Sequence, residues 1–207
     1  MNNAILLFEP GHGTRNYTIG KHSPDGLLYE GEWARLVVPK IVKGLRELGF
    51  DARQTVTEDT DPSLTERAWR VNSIVRDNPG KDVYFCSVHI NAAASDGKWH
   101  NASGFSVWVA PEASVKSRVL AQCLYESAEQ FGMKGNRCVP AEKYWTARFT
   151  VLTETKCPAV LTENLFQDNR EEVEFLRSPE GREAVVNMHI AAYCRYFGVP
   201  CGVKVDG

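Results

Sequence analysis

Two hydrophobic periods alternate along the chain, and the switches between them mark the elements. Ala4–Phe8 is a continuous apolar run of a length that suits a buried strand. The following stretch, from Glu9 to Tyr29, is rich in glycine and proline and predicts a long loop. From about Glu30 to Leu48, Trp33, Val37, Ile41, Leu45 and Leu48 recur at helical spacing, with Gly49 placed to terminate the helix. Pro39 falls inside that run, so a kink or a split is expected there. Ala52–Thr57 predicts a second strand. Ser63 and Glu66 are spaced as a capping box for a helix with the stripe Leu64, Ala68, Val71 and Val75. Asp82–Val88 predicts a central strand ending at His89. Gly104–Ala110 predicts another, followed by a helix from about Ser114 to Phe131 with Gly132 as its stop. "FTVL" and "PAVLTEN" predict two further strands, the second ending at Glu163. A last helix runs from a Ser178–Pro179 cap to Gly198.

Strands alternating with amphipathic helices predict an α/β fold: a twisted, mostly parallel or mixed sheet of about six strands flanked by helices. No repeat, low-complexity tract or linker interrupts the pattern, so residues 1–207 are expected to form a single domain. Open sheets of this kind collect ligands beyond the carboxyl ends of their strands. Three side chains suited to binding or proton transfer stand at such ends: His12, His89 and Glu163.

His12 sits in Pro-Gly-His-Gly, where the glycines let the backbone bend and approach a ligand closely. Two imidazoles need a third protein ligand to make a catalytic zinc site. Glu30 and Glu32 both open the first long helix, and the preceding loop could fold either back towards His12; spacing alone does not choose between them. Either acid also suits a helix start electrostatically. Glu163, closing so apolar a strand, loses hydration unless something compensates, and a metal-activated water whose proton it accepts would do so. His22 and His100 in loop-like sequence, His189 within the last helix, and Glu142 and Glu154 in polar segments are weaker candidates.

Composition narrows the function class. The 24 Lys+Arg against 26 Asp+Glu give a net charge of −2 with no dense basic run, so neither nucleic acid nor an anionic membrane is an expected partner. Six cysteines without a C-x-x-C pair are expected to be reduced, buried thiols. The N-terminal apolar run is too short for a signal peptide, and no stretch is long enough to span a membrane. Synthesis in the cytoplasm is therefore expected. The sequence carries no indication of oligomeric state.

Taken in order, "EPGHG", a glutamate opening the first helix, "LTERAWRVN", "CSVHINAAA", "GFSVWV", "SRVLAQ" and "FTVLTETKCPAVLTENLFQDN" form a specific set. It resembles the zinc-dependent N-acetylmuramoyl-L-alanine amidases of the Amidase_3 type, found among bacterial cell-wall hydrolases and phage endolysins. The likeness covers about residues 4–197 and implies one catalytic amidase domain; the short tail after Gly198 leads to the expectation of no separate cell-wall-binding domain. It implies hydrolysis of the amide between the lactyl group of N-acetylmuramic acid and L-alanine of the peptidoglycan stem peptide. The substrate would be cell wall reached after release from the cytoplasm, or muropeptides within it. The resemblance assigns zinc to His12, His89 and a glutamate, with Glu163 as catalytic base. Counting back one family-like helix from Gly49-Phe50 points to Glu30 rather than Glu32 as that ligand. Two departures stand out: Glu9 where the family usually has aspartate, and Pro39 in the first helix. The rival readings are a zinc peptidase cutting within the stem peptide and a non-catalytic peptidoglycan-binding protein.

Overall fold

The computed structural model describes residues 3–135 and 138–202. The chain runs β1 (Ala4–Pro10), α1 (Glu30–Glu47), β2 (Asp51–Gln54), α2 (Leu64–Asp77), β3 (Asp82–Asn91), β4 (Ser106–Val109) and α3 (Val115–Gln130). It continues with β5 (Trp145–Thr146), α4 (Thr150–Thr153), β6 (Ala159–Phe166), α5 (Arg170–Arg177) and α6 (Pro179–Phe197). One six-stranded sheet has the order β2-β1-β3-β6-β4-β5. Strands β2, β1, β3 and β6 are mutually parallel, and β4 is antiparallel to β6, so the sheet is mixed.

Both faces of the sheet are covered, which is why its central strands read as uninterrupted apolar runs rather than alternating ones. On one side Leu6, Phe8, Tyr84 and Cys86 pack with Val37, Ile41, Leu124 and Tyr193 from α1, α3 and α6. On the other, Ile5, Leu7, Val83 and Phe85 pack with Val71 of α2 and Val151 and Leu152 of α4. Among the described residues no helix is long and apolar enough to cross a membrane. All six cysteines are free thiols; the burial expected of them is complete at Cys86 and Cys194, partial at Cys123, Cys157 and Cys201, and absent at Cys138.

Several local expectations are corrected. "FTVL" is not a strand: Phe149 caps the single-turn helix α4, its carbonyl accepting from the N–H groups of Leu152 and Thr153. A four-residue apolar run fits either state by pattern alone, and here the sheet edge beside β4 is taken by the two-residue strand β5. Helix α5 was absent from the pattern reading, although Asn169 caps it by accepting from the Glu172 N–H at 3.2 Å. Pro39 does not split α1, which is continuous over 18 residues. Strand β2 is shorter than predicted. Strands β3 and β6 run past His89 and Glu163, to Asn91 and Phe166, so those residues lie near the strand ends rather than at them.

Helix α5 covers the start of α1, since Trp33 Nε1–H donates to the Leu176 carbonyl at 3.0 Å. Its cap also ties it to the loop before β4, through Asn169 Nδ2–H to the Ala102 carbonyl. Asn169→Ala is expected to lower stability by about 0.5–2 kcal/mol, read as a shift in urea midpoint at unchanged slope.

Candidate functional site

The cleft lies beyond the carboxyl ends of β1, β3 and β6, in a cavity of about 600 Å³ whose lining includes His12, Lys21, Arg67, His89, Phe149 and Glu163. A larger cavity of about 720 Å³, lined by Trp99, Met133, Leu165 and Phe175, contains none of His12, Glu30, His89 and Glu163, and of the weaker candidates only His100.

Strand β1 delivers His12 through a turn that only small residues permit. The Gly11 N–H donates to the Val88 carbonyl at 2.9 Å, holding the turn against β3. A Cβ on Gly11 would stand 2.4 Å from the His89 ring, so glycine there makes room for that imidazole. His12 itself is left-handed, with φ 57°. Its carbonyl accepts from Arg35 Nη1 at 2.8 Å and Arg67 Nη2 at 3.3 Å, which fixes the strained turn from two helices.

Helix α1 brings Glu30 to the same point. A Cβ on Gly31 would stand 1.8 Å from the Gly13 carbonyl oxygen, so a larger residue would push the helix start away from the His12 turn. Glu30 Oε1 lies 2.9 Å from His89 Nδ1 and accepts from the Ile90 N–H at 3.0 Å. Glu30 Oε2 lies 3.5 Å from His12 Nε2 and is buried with no hydrogen-bond partner. Glu32 points elsewhere, pairing with Arg15 at 2.6 Å, so the structure brings Glu30 and not Glu32 to the histidines.

His12, Glu30 and His89 each offer one ligand atom, and these atoms lie within 4.8 Å of one another. The donor set fits a divalent metal: two imidazoles and a carboxylate are familiar zinc ligands, and tetrahedral bonds of about 2.0–2.2 Å suit donors a few ångströms apart. The buried Oε2 of Glu30 is an acceptor without a hydrogen-bond partner among the described residues. The tautomer fits as well. Ser87 Oγ–H donates to Glu9 Oε1 at 2.7 Å, so it accepts from His89 Nε2–H at 2.9 Å; Nδ1, whose proton faces Glu30 Oε1 in the metal-free protein, is then the nitrogen left to bind a metal once that proton is lost.

Glu163 stands beside His89, its register partner across the parallel β3–β6 pair, so both side chains leave the same face of the sheet. Its Oε2 is closed off from solvent and unpartnered. Burial, reinforced by the Glu30 charge and opposed by His89 and Lys21, pushes its pKa up to about 8. A bound dication would act in the opposite direction. Burial lowers His12 to about 4, with Glu30 opposing. Burial also disfavours the charged forms of Glu30 and His89, yet their mutual hydrogen bond and attraction outweigh it, lowering Glu30 and raising His89.

The remaining candidates lie apart from this cluster. His22 contacts the Ser23 carbonyl and packs on Tyr29. His100 pairs with Asp96. His189 is a core residue bridging the Val185 carbonyl and Thr162. Glu142 and Glu154 are exposed. Pattern reading missed Ser87, Asp61 and Arg67. Arg67 is the informative case: it is buried and donates to the carbonyls of Pro62, Pro10 and His12 while pairing with Glu9 and Asp61. The available signal was its position one residue before Ala68 of the apolar stripe.

A family model described as Amidase_3, N-acetylmuramoyl-L-alanine amidase, matches residues 6–194. An endolysin of Bacillus phage SPP1 is 28% identical over 190 residues, covering 89% of this chain and 63% of that protein. The N-acetylmuramoyl-L-alanine amidase CwlM of Bacillus licheniformis is 27% identical over 203 residues, covering 94% and 69%. The chain thus spans about two thirds of the length of these relatives. The catalytic domain of the amidase CwlV from Bacillus (Paenibacillus) polymyxa var. colistinus has a similar fold, with TM-score 0.75 and 20% identity over 97% of this chain and all of that one. The apo amidase Ami1 from Mycobacterium abscessus gives TM-score 0.79 and 18% identity over 95% and 100%.

The shifts set a pH dependence for the metal-free protein. From its ordinary value of 4.5 up to about 8, Glu163 is ionised in the unfolded chain and protonated in the folded one, so unfolding releases a proton and stability falls as pH rises. His89, raised above 6.5, acts in the same direction: its contribution is present below that value and is lost as pH climbs through the folded one. His12, lowered from 6.5 to about 4, acts the other way below 6.5, so the test is the difference between variants: Glu163→Gln is expected to make the slope of stability against pH between 5 and 8 more positive, by at most about 1.4 kcal/mol per pH unit. Urea unfolding across that range in chelator measures it; an unchanged slope would show that Glu163 is ionised in the native pocket.

Proposed function

The chain belongs to the Amidase_3 family of N-acetylmuramoyl-L-alanine amidases, and on that premise we propose that it hydrolyses the amide joining the lactyl group of N-acetylmuramic acid to L-alanine of the stem peptide. The supporting observation is the convergence of His12, Glu30 and His89 on one point, with Glu163 beside His89. His12, Glu30 and His89 hold zinc in this reading, and Glu163 is the catalytic base.

Zinc bound there would supply a Lewis acid for the scissile carbonyl and lower the pKa of water towards about 7. The chain's own residues do the rest. Glu30 contributes the one negative charge of the ligand set, and the Ile90 N–H keeps its Oε1 in place. The Glu9–Ser87 pair holds His89 in the required tautomer and orientation. Glu163 accepts the proton of the attacking water. It then delivers that proton to the departing L-alanine nitrogen, which leaves a carboxylate on the lactyl group and a free amine on the peptide. The apolar walls, Leu161, Phe149 and Leu64, limit the water that competes for this carboxylate.

Glu163→Gln is expected to retain stoichiometric zinc while losing about 10²–10⁴-fold in kcat. Glu30→Gln is expected to lose the metal and the activity together, and Glu32→Gln neither. Metal content and hydrolysis of a soluble muropeptide, measured on the same preparations, check this. The products separate the rivals: a released peptide beginning with L-alanine supports the amidase reading, whereas a cut inside the peptide supports the peptidase. Retention on insoluble peptidoglycan without hydrolysis at full zinc occupancy supports a binding protein.

A further inference from the structure

We propose that Lys21 reads the stem peptide, pairing its ammonium with a free carboxylate on the peptide's second residue and thereby favouring carboxylate over carboxamide substrates. The inference rests on the amidase reading above and specifies its substrate.

Lys21 is placed by the same device that places Glu30. The Glu30 N–H donates to the Lys21 carbonyl at 3.0 Å, and His22 and Tyr29 form an antiparallel bridge just inside that neck. Within the loop, Ser23 Oγ accepts from the N–H groups of Leu27 and Leu28 and donates to Asp25 at 2.5 Å. Residues 21–30 therefore form a closed loop, and Lys21 stays opposite Glu30 while it is intact. The Lys21 side chain is half-buried and lines the cleft with His12, His89 and Glu163. Its charge reaches both walls, for it helps to depress His12 and opposes the rise at Glu163.

The other cations of the cleft are committed. Arg67 is held by Glu9 and Asp61, and Arg148 pairs with Glu112. Among the described residues Lys21 has no carboxylate within ion-pair distance. The rest of the ionisable lining is the two histidines, Glu163, and the Glu9 and Asp61 that hold Arg67, with Glu30 beneath the cleft. Lys21 is therefore the cleft cation left to attract an anionic group of a bound peptide.

Substrate chemistry supplies the matching group. In the stem peptide, L-alanine is followed by γ-linked D-glutamate, whose α-carboxyl is either free or a carboxamide. That group lies about 7 Å from the scissile carbonyl at about 3.3–3.6 Å per extended residue. A lysine rooted at the cleft wall, with its flexible four-carbon stem, can meet it.

The test uses the full zinc-loaded chain and two soluble muropeptides that differ only in carboxylate or carboxamide at that position. Wild type is expected to favour the carboxylate by about five- to tenfold in kcat/KM, carried by KM, as for a partly exposed ion pair. Lys21→Gln should bring the ratio to about one, and Lys21→Arg should restore most of it. Calorimetric binding of the two released peptides should show the same ratio, and the ratio should shrink with added salt. The proposal is overturned by a wild-type ratio near one, by a ratio that survives Lys21→Gln, or by equal losses of kcat on both substrates, which would place the ammonium at the scissile carbonyl. If wild type releases no L-alanine-terminated peptide from either substrate, the amidase reading fails, and peptide binding still decides the role of Lys21.

Discussion

A carboxylate whose side chain is 1% exposed, with one oxygen lacking any hydrogen-bond partner, is costly unless positive charge surrounds it. Glu30 is that carboxylate, and much of the local architecture serves to keep it between two imidazoles, where His89 donates to it and a bound cation would complete the compensation. Gly31 lets the start of α1 touch the His12 turn, and Gly11 lets the His89 ring approach from β3. Arg35 spans the gap, donating to the carbonyls of His12, Gly31, Glu58 and Thr60 and so fastening the turn, the helix and the connection before α2 together. Three chain segments far apart in sequence thus meet at one buried charge.

Behind that charge lies a second buried group, anchored on Arg67. Its guanidinium is 2% exposed and 3.2 Å from Glu9 Oε2, while Glu9 Oε1 receives the Ser87 hydroxyl. Ser87 in turn accepts from His89. The glutamate at position 9 therefore bridges an arginine on α2 and a serine on β3. Glu9 thus acts on the orientation of His89 and leaves the candidate donors His12, Glu30 and His89 themselves unchanged. Buried pairs of this sort fix geometry more reliably than they add stability, because removing one partner strands the other.

What could be read in advance follows from the range of the forces involved. The long amphipathic helices and the apolar parallel strands are local patterns, and the structure has them. A histidine in Pro-Gly-His-Gly at a strand tip is a local signal too. Spacing leaves Glu30 and Glu32 equivalent, because both acids suit a helix start; contacts bring Glu30 rather than Glu32 beside the histidines, with Arg15 drawing Glu32 away and the Gly31–Gly13 contact holding Glu30 in. "FTVL" was misread because four apolar residues carry no period, and its state depends on which edge of the sheet remains available. Arg67 was passed over because a charged residue beside an apolar stripe looks solvent-facing until the carbonyls it satisfies are known.

The strand ends show why the cleft sits where it does. Leu161 and Glu163 leave β6 on the α2 and α4 side, and regular alternation would send Leu165 the same way. Instead Leu165 packs in the opposite core, with a left-handed φ of 68°. On the neighbouring strand the pairing shifts register between His89 and Asn91. Both strands therefore break regularity within two residues of the side chain they present. A left-handed leucine costs about 1–3 kcal/mol, and the surroundings hold it there: Glu172 accepts from the Phe166 N–H at 2.7 Å, and the Gln167 N–H donates to the Asn91 carbonyl at 2.8 Å. The irregularity turns the chain away from the cleft immediately after Glu163, so no further side chain of β6 fills the space beside His89. A strand that stayed regular would place Leu165 there and narrow the room that a substrate carbonyl needs.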